Sequence, residues 1–313
     1  MKPGLSACIL AFVALSCSFA TLAEDWYPSR YGADDTLGAL NNQSPEKLIE
    51  AAKLVTQGKT YRLGVETGPK SPAYPPRSFS LTVLQLSDGT GTPLGSNQAT
   101  GNDDLLHFWM GIGSQLDGLG HMGINHMYYN GNHARDFVAS TGLKKLATHN
   151  LPPIATRGVL LDLARHMGVD IVPAGTAVNQ PEIEAIAKTQ GVSITKGDVV
   201  LFHTGWLNVM DVDPAKFMAG EPGLGVGGAK YLAGLGVVAV GSDTWAVEVL
   251  PSEDATQAFP VHPELLAKNG VYILENMDTR ELARDKVSEF LFVLGVPRFV
   301  GAVQAVINPV AIR

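Results

Sequence analysis

Apolar residues recur along this chain with three different periods, and each period predicts a different kind of element. Behind Ser44-Pro45, Leu48, Ile49, Ala52 and Leu54 recur at helical spacing; Ser44 suits a cap and Pro45 a first turn, so a helix opens there. Across residues 78–86, Ser80, Thr82 and Leu84 alternate with Phe79, Leu81 and Val83, the two-residue period of a strand. Residues 60–65 read as another strand, and a further one begins within residues 105–110. Later the alternation gives way to continuous apolar runs within residues 157–162, 196–206, 237–243 and 271–277. Such runs suit strands covered on both faces. Three of them close on a polar or acidic residue: Asp162, Asp243 and Glu275. Between the runs, residues 180–190 place Ile183, Ile186 and Ala187 on one helical face, residues 223–229 open another helix, and residues 259–266 lead into a third. Residues 290–312 read as a hydrophobic strand and an extended tail. Strands dominate early and alternate with helices later, which predicts an α/β domain: a mixed sheet with flanking helices.

Composition narrows the class. The chain has 313 residues, 45% hydrophobic and 17% charged, enough for a sizeable core. Residues 1–23 read as a signal peptide: Lys2, an apolar stretch over residues 5–20, then Thr21-Leu22-Ala23 before Glu24 as a small-residue cleavage site. The apolar run is short for a bilayer span, so the expectation is a periplasmic or secreted protein with no integral membrane span after cleavage. Ala14-Leu15-Ser16-Cys17 faintly resembles a lipoprotein box. Both cysteines, Cys8 and Cys17, fall inside the leader, so residues 24–313, expected as one domain, carry no thiol. Disulfides, thiolate metal ligands and a cysteine nucleophile are thereby excluded. The formal charge of −7 and the lack of a long basic run argue against nucleic acid.

Residues 111–121, Gly-Ile-Gly-Ser-Gln-Leu-Asp-Gly-Leu-Gly-His, carry the densest candidate chemistry. Gln115 and Asp117 are two apart and share one side of an extended segment. His121 keeps that parity, or a turn at Gly118 and Gly120 brings it to the same centre. A turn capped by Asp117 with a surface His121 is the plainer reading of the same residues.

The stretch resembles the metal-binding signature of the cyclase family, which includes kynurenine formamidases and isatin hydrolases: His-x-Gly-Thr-His-x-Asp-x-Pro-x-His. Gly113, Asp117 and His121 match and Ser114 replaces the Thr; Gly111, Gln115 and Leu119 depart from it. A branch that includes a metal-dependent trans-dienelactone hydrolase is similar in having Gln at the second His position. The resemblance continues through a Gly-Asp-x-Val-Leu strand ending in Thr-Gly-Trp at residues 197–206. A Gly-x-Asp-Thr strand end follows at residues 241–244, and then comes a His at a helix start with a Glu further on, His262 and Glu275. It implies the family's swivelling β/β/α fold and a homo-oligomer.

For the site, the resemblance implies metal ligands from among Gln115, Asp117, His121, His262 and Glu275, with His121, His262 and Glu275 as catalytic residues. Gln115 either ligates through its carbonyl oxygen or orients a ligand; His121 either ligates or accepts a proton; His262 and Glu275 are a second ligand pair or an acid/base pair. The expected cofactor is one divalent ion, Mn or Zn. The expected reaction is hydrolysis of a small-molecule lactone, cyclic amide or formamide through metal-activated water. The alternative is an exported, non-catalytic small-molecule-binding protein of the same fold. Trp206, Tyr128 and Asp243 are candidate substrate contacts, although Trp206 equally suits a core and Asp243 a strand-end brace. The loops at residues 69–76 and 122–132 are candidate pocket walls, and His126 is a candidate replacement ligand. His107 and His203 lie on apolar strands and read as core. No Gly-x-Ser-x-Gly elbow is present, and the glycines at residues 223–228 do not directly follow a strand, which disfavours a serine hydrolase and a nucleotide site.

Overall fold

Ser44 does what its position predicts. In the computed structural model, which describes residues 26–85 and 89–313, its Oγ accepts the Lys47 N–H at 3.1 Å and opens helix α1 (Pro45–Ala52). The leader at residues 1–23 and the expected strand end and turn at residues 86–88 lie outside the described residues.

The strands that frame the molecule are β1 (Thr60–Arg62), β2 (Phe79–Gln85), β3 (Asn102–Phe108), β4 (Gln115–Asp117), β5 (Ile154–Asp162), β6 (Val199–His203), β7 (Ala239–Ser242), β8 (Tyr272–Glu275), β9 (Glu289–Leu294), β10 (Gln304–Val306) and β11 (Val310–Ile312). Nine of them form one mixed sheet in the order β1-β11-β9-β5-β6-β7-β8-β4-β10. The continuous apolar runs become its centre: β5, β6, β7 and β8 are mutually parallel, and every residue of β6, β7 and β8 is buried. Each fully buried Val or Leu there is worth about 1.5–3 kcal/mol relative to exposure. The centre of the sheet is therefore rigid, and side chains at its strand ends are held on a firm base. Helices α1 and α2 (Gln180–Gln190) pack on β5, and α3 (Val226–Leu235) packs on α2. The helix expected after residue 259 is a short turn, α4 (Val261–Pro263), that continues as a π-helical turn over Glu264–Lys268. No helix among the described residues is long and apolar enough to cross a membrane.

Two expectations are corrected, and at residues 111–121 the turn is the alternative that holds. The tail after residue 290 supplies three strands rather than one, because β11 pairs with both β1 and β9 and β10 closes the other edge on β4. A period shows that a segment is extended and is silent on its partners. The stretch at residues 111–121 is strand only over Gln115–Asp117; Gly113 turns the chain before it with φ +73°, and Gly118 O accepts the His121 N–H at 2.9 Å after it. His107 is exposed, because β2 and β3 form a separate hairpin with Leu81, Val83, Leu105 and Leu106 open to solvent.

Candidate metal centre

The register of β4 assembles the site. Gln115 lies opposite Glu275 on one side, and Asp117 lies opposite Gln304 on the other. With a two-residue period, Gln115 and Asp117 therefore project to one face together with their cross-strand partners. The turn at Gly118 brings His121 back over Asp117, and α4 delivers His262 from a different part of the chain. Ser114 pins the entry to β4: its hydroxyl donates to Asn276 O at 2.6 Å and accepts the Val65 N–H at 2.8 Å. Gly113 is needed there, since a Cβ would lie 2.0 Å from Thr67 Oγ1 at a φ that disfavours L side chains.

The hydrogen-bond inventory of these groups is uneven. Asp117 is fully buried, and its Oδ1 accepts Gln304 Nε2–H at 2.7 Å and, more weakly, Gln115 Nε2–H at 3.3 Å. Its Oδ2 and the Gln115 Oε1 accept no hydrogen bond despite being buried. Oδ2 faces His262 Nε2 at 3.6 Å and His121 Nε2 at 3.8 Å, and Asp117, His121 and His262 each offer a ligand atom within 4.8 Å of the others. Two unpartnered oxygens beside two imidazole nitrogens are the donor set a divalent cation takes, and burying them without one costs about 1–3 kcal/mol each.

Around this core, the carboxylates divide their work. Glu248, also buried, has its Oε1 2.5 Å from His262 Nδ1 and accepts the backbone N–H groups of Val261 and His262. A proton on Nδ1 leaves the Nε2 lone pair free for a ligand, the usual means of fixing a metal-binding imidazole. Glu275 accepts Gln115 Nε2–H at 2.5 Å through Oε2, while its Oε1 lies 3.2 Å from His262 Nε2.

The charges follow from this packing. Burial favours a neutral Asp117, but His121, His262 and the Gln304 hydrogen bond outweigh it and hold the carboxyl at about 2. Glu275 goes the other way: burial first, then the Asp117 charge, push it up to about 7. Burial pulls His121 down, with Asp117 opposing. Burial also opposes charge on His262, yet the facing carboxylates of Asp117, Glu248 and Glu275 take the metal-free imidazole well above its ordinary value.

A cavity of about 190 Å³ opens onto these groups, lined by Tyr74, Arg77, Gln115, His121, Met122, Trp245, Ala246, Phe259, His262 and Glu275. Tyr74 stacks on Trp245 with ring centroids 5.9 Å apart, and Phe259 meets Tyr74, Trp245 and His262 edge-on. Glu221, buried beneath this wall, accepts the N–H groups of Trp245 and Ala246 at 2.8 and 2.9 Å. Three residues around the site, Val247, Phe259 and Asn276, adopt positive φ without being glycine. Such backbone costs about 1–3 kcal/mol each and gathers at functional sites.

All five expected metal-site residues thus converge. Glu275 falls outside the group of three side chains whose ligand atoms lie within 4.8 Å of one another; His121, expected to ligate or accept the proton, lies within it. The expected substrate contacts do not converge. Trp206 is buried in a satellite cluster with Leu207, Val209 and Phe217 and donates to Phe217 O. Tyr128 packs edge-on against Phe137 at 5.3 Å, and Asp243 braces the end of β6. His126 faces His133 instead of the site. The loop at residues 69–76 does reach the cavity through Tyr74, and the loop at residues 122–132 through Met122. Glu248, Glu221, Arg77, Trp245 and Phe259 escaped the sequence reading; only Arg77, a lone cation after a Pro-rich loop, carried a local signal.

A family model described as "Cyclase: Putative cyclase" matches residues 50–249. Among solved structures, a protein described as a novel cyclase is 28% identical, with a TM-score of 0.81 over 90% of this chain and 98% of its own. An isatin hydrolase A from Ralstonia solanacearum is 17% identical with a TM-score of 0.62, covering 87% of this chain and 99% of its own. An isatin hydrolase bound to the product analogue thioisatinate is also 17% identical, with a TM-score of 0.60 over 86% and 98% of the two chains. The latter two are likenesses of fold. Among curated proteins, no relative matches.

Proposed function

Because the chain belongs to the cyclase family, we propose that its buried cluster holds one divalent cation and that the protein hydrolyses a lactone, cyclic amide or formamide. One observation carries this reading: the buried Asp117 Oδ2, without a hydrogen bond, faces two imidazole nitrogens at 3.6 and 3.8 Å. Asp117, His121 and His262 would hold the ion, with Gln115 Oε1 as a fourth donor. Mn or Zn suits this mixed oxygen and nitrogen set. A cation there supplies Lewis acidity, polarising a carbonyl and making water easier to ionise.

The residues of the chain do the rest. Gln115 uses its N–H group to hold Glu275 in place while leaving its own carbonyl oxygen free. Glu275, at about 7, is poised to take a proton from the attacking water at Oε1 and return it to the leaving oxygen or nitrogen. Glu248 keeps His262 in a single tautomer, and Tyr74, Trp245 and Phe259 exclude water around the scissile bond. The test is a screen of small lactones, cyclic amides and formamides with chelated protein and with the same protein restored with Mn²⁺ or Zn²⁺. Turnover that disappears on chelation and returns with one equivalent of metal supports the reading; turnover indifferent to metal removes it.

Two further proposals concern the setting. The leader reading places the protein outside the cytoplasm, which N-terminal sequencing of exported protein beginning at Glu24 would support. The apolar stripe of Phe79, Leu81, Val83, Leu106 and Phe108 on the hairpin suits a second copy of the chain, because an apolar two-stranded ribbon is marginal alone. Light scattering that gives a dimer, and a monomer for Leu81→Asp, is the expected result.

A further inference from the structure

The cavity contains a positive charge that the metal site does not use. Arg77 lines it together with Tyr74, Trp245, Phe259 and Glu275. Its Nη1–H donates to Gly111 O at 2.7 Å, and no described carboxylate forms an ion pair with it within 4.0 Å. Arg157, Arg280 and Arg284, by contrast, each pair with an acidic side chain. Arg77 lacks such a partner, and its charge is felt by His121 and Glu275 across the site.

Gly111 makes this placement possible. A Cβ at residue 111 would fall 2.6 Å from Arg77 Nη1 and 2.7 Å from Cζ, so a larger residue there would push the guanidinium out of its present position. The backbone carbonyl of the same glycine then orients the fork. A guanidinium stays charged at all accessible pH and presents five N–H donors in a plane. One donor is used on Gly111, and the remaining set matches a carboxylate, the anion that guanidinium binds in two parallel hydrogen bonds.

We propose that Arg77 recognises a carboxylate carried by the substrate, separate from the bond that is cleaved, with the substrate's ring lying among Tyr74, Trp245 and Phe259. The preferred substrates are then anionic ring compounds, and Arg77 is a specificity residue. This inference rests on the hydrolase reading for its reaction, and its test does not.

Metal-saturated protein is titrated calorimetrically with 1-indanone and with 1-indanone-5-carboxylate, two cyclic ketones that cannot be hydrolysed. The wild type is expected to bind the carboxylate at least about ten-fold more tightly, a modest return for one charge-assisted fork. Arg77→Met is expected to lose that preference while keeping its affinity for 1-indanone and its metal content, and Arg77→Lys to keep part of it. Equal affinities in the wild type, or a preference that survives in Arg77→Met, would overturn the proposal; the second result would assign the anion to the metal. A failed hydrolase reading shows separately, as absence of metal-dependent turnover, and leaves this titration interpretable.

Discussion

Two buried acid and histidine pairs sit at strand ends of the same sheet, and they are built to opposite specifications. Asp243, after β7, has both oxygens engaged: Oδ1 accepts the Thr204 N–H at 2.9 Å and hydroxyl at 2.6 Å, and Oδ2 accepts the Gly205 N–H at 2.8 Å. Its neighbour His203, with Nδ1 3.4 Å from Oδ2, hydrogen-bonds Thr279 through that nitrogen. Asp117, equally buried, leaves Oδ2 without a hydrogen bond in front of two imidazoles. A carboxylate with both oxygens engaged by the backbone it braces has little left to offer a ligand. Nearness of acid to histidine does not separate the two clusters; the unspent oxygen does.

The sharpest way to break that contrast is to remove each acid. Asp117→Ala should lose bound metal and at least ~10²-fold in turnover while remaining folded. Asp243→Ala should keep the metal but lose about 2–4 kcal/mol of stability, because the Thr204-Gly205 turn loses its acceptors. Metal analysis beside denaturant unfolding reads both, and a metal-replete Asp117→Ala would erase the distinction. Next in size is Glu248→Gln, which removes the carboxylate behind His262. Metal affinity should weaken by about 10–100-fold, as for other groups that orient a ligating imidazole, and competition with a chelator would measure it.

Acidity sharpens the contrast in another way. In the metal-free protein, burial and the Asp117 charge raise Glu275 from 4.5 to about 7. Folding therefore favours its protonated form, so the stability associated with it is fully present below pH 4.5 and is lost as pH rises through about 7. Thermal unfolding of chelated protein should show stability falling over that window, and Glu275→Gln should flatten the fall. The smallest expected effect is at Trp206. Its indole lies away from the cavity, so Trp206→Phe should cost about 1 kcal/mol through the lost hydrogen bond and leave KM unchanged; a shift in KM would return it to the substrate wall.

Much of the frame was legible because it obeys local rules. The apolar runs at β6, β7 and β8 announced strands buried on both faces, Ser44-Pro45 announced α1, and the resemblance carried by Asp117, His121, His262 and Glu275 pointed to one centre. What remained hidden depends on register and on the far ends of side chains. Nothing local to Glu248 says that it will meet His262, and nothing local to Gln304 says that the last apolar tail will return beside β4 to bind Asp117. Trp206 misled for the same reason: a Trp after an apolar strand can face a cavity or the layer behind it, and its neighbours Leu207, Val209 and Phe217 decided for the layer behind. His107 shows the converse, since an apolar strand reads as core in sequence even when it belongs to a separate hairpin whose side chains lie open to solvent.

The most direct test of the central claim is anomalous diffraction at the metal absorption edge from crystals grown with Mn²⁺ or Zn²⁺. One ion bound to Asp117 Oδ2, Gln115 Oε1 and the Nε2 atoms of His121 and His262 is the predicted result. A fully loaded crystal whose ion lies elsewhere, or a cluster that stays without anomalous density at saturating metal, would contradict it.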